Sequence, residues 1–247
     1  MNVLLTGMNG TVAPVVAHAL VERGHRMHAW DRLRTPIDDA PARVALLDAV
    51  KPDWLFHIAT GPVAWAESIA VACAERGIGL LYTSSVSIYA ANRTAPIPCD
   101  APADADDDYG RYKADCEARI RAACPRALIF RLGWQIGDAP GSNNMIDYLH
   151  KTANEQGHIP ASRMWFPSCA FLADTAAALG DHFAILPPGD YQLEGNPGLS
   201  FFEIATRLNR LHGDPWTILP TDEPAQYNLM TDPRIPVRPI SNRLPPS

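Results

Sequence analysis

Residues 2–24, "NVLLTGMNGTVAPVVAHALVERG", decide how the rest of the chain is read. The run "NVLLT" (2–6) is a short apolar strand, "GMNG" a glycine turn, and "VAPVVAHALVERG" (12–24) carries apolar residues at helical spacing up to a terminal glycine. Gly7 and Gly10 permit a tight turn and let the backbone come close to a pyrophosphate. Ala13 stands where a third glycine is usual and is small enough for close helix–strand packing; Pro14 falls in the first helical turn, where its missing N–H is no loss. The free N–H groups of that turn and the positive end of the helix dipole favour phosphate. A glycine turn by itself joins elements in many proteins, and the strand–turn–helix context is what points to a dinucleotide. The candidate contacts are Gly7, Asn9, Gly10, Thr11 and Val12.

A second strand, "RMHAW" (26–30), ends at Asp31, 18 residues beyond Ala13. A carboxylate there accepts hydrogen bonds from an adenosine ribose and repels a 2'-phosphate, which favours NAD. Arg32 and Arg34 pull the other way, since a guanidinium can hold the 2'-phosphate of NADP; solvated arginines are the plainer reading. The cofactor expected is NAD or NADP, with NAD preferred.

The alternation continues with helix 40–50, strand 53–59, helix 64–77, strand 78–84, helix 109–123 and strand 126–132. Parallel strands need crossover connections, so this order predicts an α/β fold: a doubly wound parallel sheet of Rossmann type. Ala59 and Thr60, after the third strand, join the cofactor candidates. Beyond residue 133, Pro and Gly accumulate and helices are expected near 142–156, 170–183 and 200–212. The expected division is a dinucleotide-binding core over 1–135 and, over 136–247, mostly a small C-terminal substrate lobe with elements returning to the core. The tail from Asp214 holds eight of the 23 prolines and is expected to be irregular and on the surface.

Among 247 residues, 47% are apolar and 19% charged, and the net charge is −6. That balance fits a globular protein and argues against a nucleic-acid partner, which calls for a basic face. Five cysteines, with no CxxC pair, suggest neither a disulfide framework nor a zinc site. With no charged leader and no long apolar run, the expected setting is cytoplasmic, away from the membrane. "DADDD" (104–108) reads as a solvated lead-in to a helix, and no metal is expected.

In "DDDYGRYKADCE" (106–117), Tyr109 and Lys113 share a helix face, whereas Tyr112 is expected to point elsewhere. Lowering a phenol's pKa from about 10 to near neutrality takes about 4 kcal/mol, part of which a neighbouring ammonium can supply. Such a phenol exchanges a proton with a substrate oxygen. An exposed Tyr–Lys pair is the bland alternative, though the chain has 18 arginines and only three lysines. A hydroxyl at the end of the strand "LLYTSS" (80–85) completes the set, with Ser84, Ser85 and Ser87 as candidates and turn capping as their ordinary role.

Taken in order, "TGMNGTVA", "DWLFHIA", "YTSSVSIYA" and "YGRYK" resemble the extended short-chain dehydrogenases/reductases, the NAD-dependent epimerase/dehydratase family, and most of all its dTDP-4-dehydrorhamnose reductase branch. "YQLEGNPGLSFFEIATRLNRLHG" and "RPISNRL" extend the likeness over nearly the whole chain. The resemblance implies a catalytic Ser85–Tyr109–Lys113 triad, Ser85 lying four residues before Tyr89, with Lys113 also holding the cofactor ribose. It implies reduction or epimerisation of a sugar or sugar nucleotide, the small-molecule substrate expected here. Val86 and Ser87 stand where the family's dehydratases carry acids, so water elimination is not expected. Substrate candidates are Ser87, Trp134, Asn144 and Arg238, with a nucleotide base stacking near Trp134 and "RMWFP" (163–167). The segment between Ala59 and Leu80 is shorter than in the family, which leaves the oligomeric state open and motivates an alternative, a non-catalytic dinucleotide-binding protein in regulation or assembly. His57 is expected to be a satisfied core histidine.

Overall fold

The chain runs β1 (Asn2–Leu5), α1 (Ala13–Glu22), β2 (Arg26–Ala29), α2 (Ala40–Val50), β3 (Trp54–His57), α3 (Val63–Arg76) and β4 (Gly79–Ser85). A short β5 (Ile97–Pro98) precedes α4 (Asp108–Ala123) and β6 (Leu128–Leu132). The second half carries β7 (Trp134–Ile136), α5 (Met145–Gln156), β8 (Ile159–Ser162), β9 (Trp165–Phe166), β10 (Cys169–Phe171), α6 (Leu172–His182) and β11 (Gly189–Leu193). It closes with α7 (Phe201–Leu211), β12 (Ile218–Thr221), β13 (Gln226–Tyr227) and β14 (Met230–Thr231). The computed structural model describes residues 1–246.

Local chemistry sets these boundaries. The side chains of Asp39, Asp107 and Asn144 accept the backbone N–H of Ala42, Gly110 and Asp147 and so start α2, α4 and α5. A full capping box between Ser200 and Glu203 opens α7. Gly77, at φ +66°, ends α3 in the left-handed region.

Six strands form one parallel sheet in the order β11-β6-β4-β3-β1-β2. The chain turns back at β1, with β2 on one side and β3 on the other. The crevice outside the ends of β1 and β3 is therefore the switch point at which ligands bind in such sheets. Strand periodicity divides the core between two layers. Val3, Leu5, Phe56, Leu81 and Phe130 face α1 and α6, whereas Leu4, Leu55, Leu80, Tyr82 and Ile129 face α3 and α4. A third cluster, with Ile136, Met145, Leu149, Ile159, Phe201, Leu208 and Trp216, builds the C-terminal lobe. β11 and α6 return to the main sheet and its covering layer.

The tail departs from expectation. Rather than lying irregularly on the surface, it adds β12 to β8, β13 to β9 and β14 to β5, all parallel. It also buries Trp216, Leu229, Met230, Ile235, Ile240 and Leu244. Apart from Pro220, which lies within the two-stranded β12–β8 pair, its prolines fall between these short pairings, where few ladder hydrogen bonds are lost.

Candidate active site

The site begins at the end of β1. Thr6 Oγ1 accepts the N–H groups of Ile58 and Ala59, each at 3.0 Å, so its own proton points to His57 Nδ1, also 3.0 Å away. His57 is thus neutral with its proton on Nε2. Burial is the leading cause that lowers its pKa to about 3, with the Lys113 and Arg32 charges adding to it. This arrangement ties the ends of β1 and β3 together. Gly7 adopts φ +89°, and a Cβ there would lie 3.0 Å from Ala59 N. The Gly10 N–H closes the turn on the Gly7 carbonyl at 2.8 Å. α1 then starts without a side-chain cap at Val12, which leaves its first-turn donors to a ligand.

A cleft of about 1590 Å³ opens here and runs across the sheet end to the C-terminal lobe. Gly7, Asn9, Gly10, Thr11, Val12, Asp31, Arg32, Ala59, Thr60 and Lys113 all line it. Asp31 Oδ1 accepts the Leu33 N–H at 2.9 Å, and Arg34 Nε approaches Oδ2 at 3.6 Å. Arg32 donates to the Thr60 carbonyl at 2.8 Å and lies 4.8 Å over the Trp65 ring. Both charges at the β2 end are therefore already engaged with the protein.

At the middle of the cleft, Ser85 ends β4 and caps the following 3-10 turn. Its Oγ accepts the Ser87 N–H at 3.1 Å and donates to Ser87 Oγ at 3.1 Å. α4 comes against this turn because residue 110 is glycine; a Cβ there would overlap the Ser87 carbonyl. Gly110 is a site determinant that the periodicity of "YGRYK" did not single out. It brings in Tyr109, 48% exposed, with its phenol beside Ser85, and Lys113, 3% exposed.

Two expectations about this helix are corrected. Lys113 Nζ donates to the Thr83 carbonyl at 2.9 Å and lies 5.9 Å from the centres of both the Tyr109 and Tyr112 rings. Tyr112 is therefore no bystander; its hydroxyl accepts the Gly61 N–H at 3.1 Å and braces the backbone beside Thr60. Nor is the Tyr109 phenol lowered toward neutrality. Burial raises its pKa, against the hydrogen bond with Ser85, while burial also lowers that of Lys113 to about 8.

Of the substrate candidates, Ser87 and Trp134 line the cleft, whereas Asn144 and Arg238 do not. Asn144 is consumed as the cap of α5, its amide also donating to the Ala139 carbonyl and Ser142 Oγ. Arg238 faces Asp174 at 3.7 Å, beside Arg243. Residues that sequence reasoning missed are Gln135, Asn143, Tyr148, Gln226 and Asn228. The last two come from the tail, and Asn228 Oδ1 accepts the Trp165 Nε1–H at 3.0 Å. Trp165 stacks on Trp134 with 5.8 Å between centroids and 21° between planes. Tyr89 lends its ring to the wall while its hydroxyl accepts from Arg131 at 2.7 Å and Gln192 at 2.9 Å. Among the described residues, no helix is long and apolar enough to cross a membrane, and no three metal-ligand side chains cluster.

Residues 62–208, which include the β4 end, the helix bearing Tyr109 and Lys113, and the Trp134–Trp165 wall, match the family model described as the RmlD substrate binding domain. The chain belongs to this family. Compared with curated proteins, the chain is 26% identical over 190 residues to the 2-alkyl-3-oxoalkanoate reductase of Stenotrophomonas maltophilia (strain K279a). That match covers 63% of this chain and 56% of the relative, so the chain spans little more than half the length of the curated protein it matches. Among solved structures, the dTDP-4-dehydrorhamnose reductase of Bacillus anthracis in complex with NADP is similar at a TM-score of 0.82. Its identity is 17%, over 94% of this chain and 91% of that one. The Bordetella bronchiseptica enzyme WbmH in complex with NAD+ is also similar, at a TM-score of 0.76 and 17% identity, over 94% and 89% of the two chains. These likenesses show that the RmlD-family chain has the parallel α/β fold expected of it.

Proposed function

We propose that this protein is an NAD(P)-dependent oxidoreductase that reduces a ketone of a sugar or sugar-nucleotide substrate, with NAD(H) preferred. The observation that carries the reading is one continuous cleft with the glycine turn of α1 and Asp31 at one end and Ser85, Tyr109 and Lys113 further along. The uncapped first turn of α1 and the glycine at position 7, where φ +89° and the closeness of Ala59 disfavour a side chain, fit the close approach of a pyrophosphate. A bound nicotinamide would supply the hydride. The chain's residues do the rest. Ser85 donates a hydrogen bond to the substrate carbonyl, and Tyr109 gives its proton to the oxygen as negative charge develops there. Lys113, with donors left beyond Thr83, holds ribose hydroxyls and offsets that charge.

A phenol kept above its ordinary pKa holds its proton at neutral pH, which suits the acid of a reduction. Epimerisation would require the same group to give and take protons with equal ease, so reduction is the reading retained. The relatives support this at the level of reaction type, because their names describe reductases of a keto acid and of a keto sugar.

The test is a fluorescence titration with NADH and NADPH, followed by turnover on a panel of keto sugars. Absence of binding to both dinucleotides ends the proposal. Tight binding with no turnover on any panel member moves the protein to the non-catalytic alternative.

A further inference from the structure

The buried guanidinium of Arg131 joins the two segments that carry the proposed reacting groups. Arg131 stands on β6 opposite Ser84 of β4, and, two residues beyond Ile129, its side chain leaves the sheet on the α4 side. Its Nε donates to Glu117 Oε1 at 3.1 Å and its Nη2 to Glu117 Oε2 at 2.8 Å, a fork on one carboxylate. Glu117 follows Lys113 by one helical turn and Tyr109 by two, on the same stripe of α4. The remaining nitrogen, Nη1, donates to the Tyr89 hydroxyl at 2.7 Å and to the Cys99 carbonyl at 2.8 Å.

Tyr89 in turn closes the 3-10 turn that Ser85 opens, its N–H donating to the Val86 carbonyl at 3.0 Å. Gln192 Nε2 donates to the same Tyr89 hydroxyl at 2.9 Å. Arg131, Glu117, Tyr89 and Gln192 are all buried. Fastening alone does not call for such a set. Two buried charges lose their hydration, and an apolar pair of similar volume would hold α4 to β6 as well or better. Apolar contact is non-directional and lets surfaces slide, whereas a fork and a third bond from one rigid plane fix both distance and angle. Ser85 and Tyr109 need that precision, because both must meet one substrate oxygen within about 0.5 Å. Ser85 Oγ exchanges its hydrogen bonds with Ser87, so its spacing from Tyr109 is left to the segments that carry the two side chains. Gly110 admits α4 to the turn, and Arg131 holds it there.

We infer that Arg131 is a positioning residue: through Glu117 and Tyr89 it sets the Ser85 turn and the Tyr109–Lys113 helix at the separation that reduction of the substrate carbonyl requires. This rests on the proposed oxidoreductase function and adds to it a residue outside the cleft.

Arg131→Met would leave Glu117 buried without its counter-charge, so the test cuts one arm at a time. Tyr89→Phe keeps the ring in the cleft wall and leaves each donor another acceptor, the Cys99 carbonyl for Arg131 and the Pro98 carbonyl, at 3.4 Å, for Gln192. Glu117→Gln keeps the shape of the other arm and removes its charge. NADH binding is read by fluorescence, and reduction of a keto sugar that the parent accepts is read by single-turnover kinetics per bound NADH. Both are run at about pH 6, where Lys113 keeps its proton even without the charge of Glu117.

The expected result for each variant is a rate of reduction about ten-fold or more below the parent, with NADH affinity and the ketone concentration at half-maximal rate within about two-fold. In the double variant the fall should match the larger single fall rather than the product of the two, because both arms leave one guanidinium. A structural role alone lowers the urea midpoint and leaves the rate per bound NADH at the parental value. That outcome, or multiplication of the two losses in the double variant, overturns the inference. A parent that binds neither dinucleotide, or reduces no keto sugar, removes the proposed function and this inference together, whereas an active parent with undiminished variants removes this inference alone.

Discussion

Lys113 Nζ is bonded to the Thr83 carbonyl at 2.9 Å, so the ammonium is anchored to the strand rather than to the phenol one helical turn away. That bond crosses from α4 to β4 and fixes the helix against the strand whose end carries Ser85. One N–H of the ammonium is thereby spent on structure. The other two make no hydrogen bond to the described residues and remain for hydroxyl groups in the cleft, so the lysine is both a brace and a binding group.

Tyr109→Phe removes the proposed proton donor and keeps the ring that borders the cleft. Turnover should fall by about 10²–10⁴-fold, with NADH affinity within about two-fold of the parent. Single-turnover kinetics and fluorescence titration check the two halves. Retained turnover assigns the proton to another group.

The Lys113 ammonium is lowered to about 8 from its ordinary 10.5 by burial, with Cys116 and Glu117 opposing the shift. Dinucleotide affinity should be constant below pH 8 and weaken as pH rises through it and the charge is lost. Its linkage to stability has the opposite sign. Between about 8 and 10.5 the unfolded chain binds more protons than the folded one, so this group makes folding more favourable as pH rises. Lys113→Met should remove both trends, as read by NADH titration and urea denaturation across that window.

Gly7→Ala places a methyl 3.0 Å from Ala59 N on a backbone at φ +89°. The expected cost is about 1–3 kcal/mol in stability, together with a loss of dinucleotide affinity as the turn shifts. Gly24→Ala is a control at a similar φ, +78°, with nothing within 4 Å of the added methyl. It should cost stability and leave affinity unchanged.

Asp31 has one oxygen on the Leu33 N–H and the other facing Arg34. In Asp31→Ala the ribose loses an acceptor and Arg34 its partner. The ratio of NADH to NADPH affinity should move toward NADPH by about ten-fold or more. A ratio that does not move places the discrimination elsewhere.

Glu194 accepts the backbone N–H groups of Cys169 at 3.3 Å, Asn196 at 2.7 Å and Met230 at 2.9 Å, joining β10 to the tail. Burial raises its pKa from 4.5 to about 7 against these bonds. The folded protein then binds more protons than the unfolded chain between those values, so this contribution to stability is lost as pH climbs from 4.5 through 7. Glu194→Gln should flatten that slope. It should also cost about 1–3 kcal/mol at pH 8, because an amide N–H must face a backbone donor. Urea midpoints at several pH values measure both.

The main sheet was legible because its signals are local. "NVLLTG" and "IGLLYTS" fix strands by apolar runs, and α3, before the second of them, ends on Gly77, its neighbour in sequence. The spacing of Tyr109 and Lys113 was equally legible, since one helical turn needs no tertiary information. Capping roles were harder to separate from binding roles. Asn144 reads as a substrate amide or as a cap until Asp147 is seen to donate to it.

The parallel α/β plan, the glycine turn before α1 and the pairing of a tyrosine with a lysine on one helix face were readable along the chain, because each depends on residues within a turn or a strand of one another. What surrounds them is set by the folded chain. Thr83, 30 residues before Lys113, takes its ammonium; Gly110 admits α4 to the Ser87 turn; and Gln226 and Asn228 reach the cleft from a tail whose short strands pair with segments 59 or more residues away. Those contacts pair groups remote in sequence, and their energies depend on burial and direction, which exist only once the chain has closed on itself.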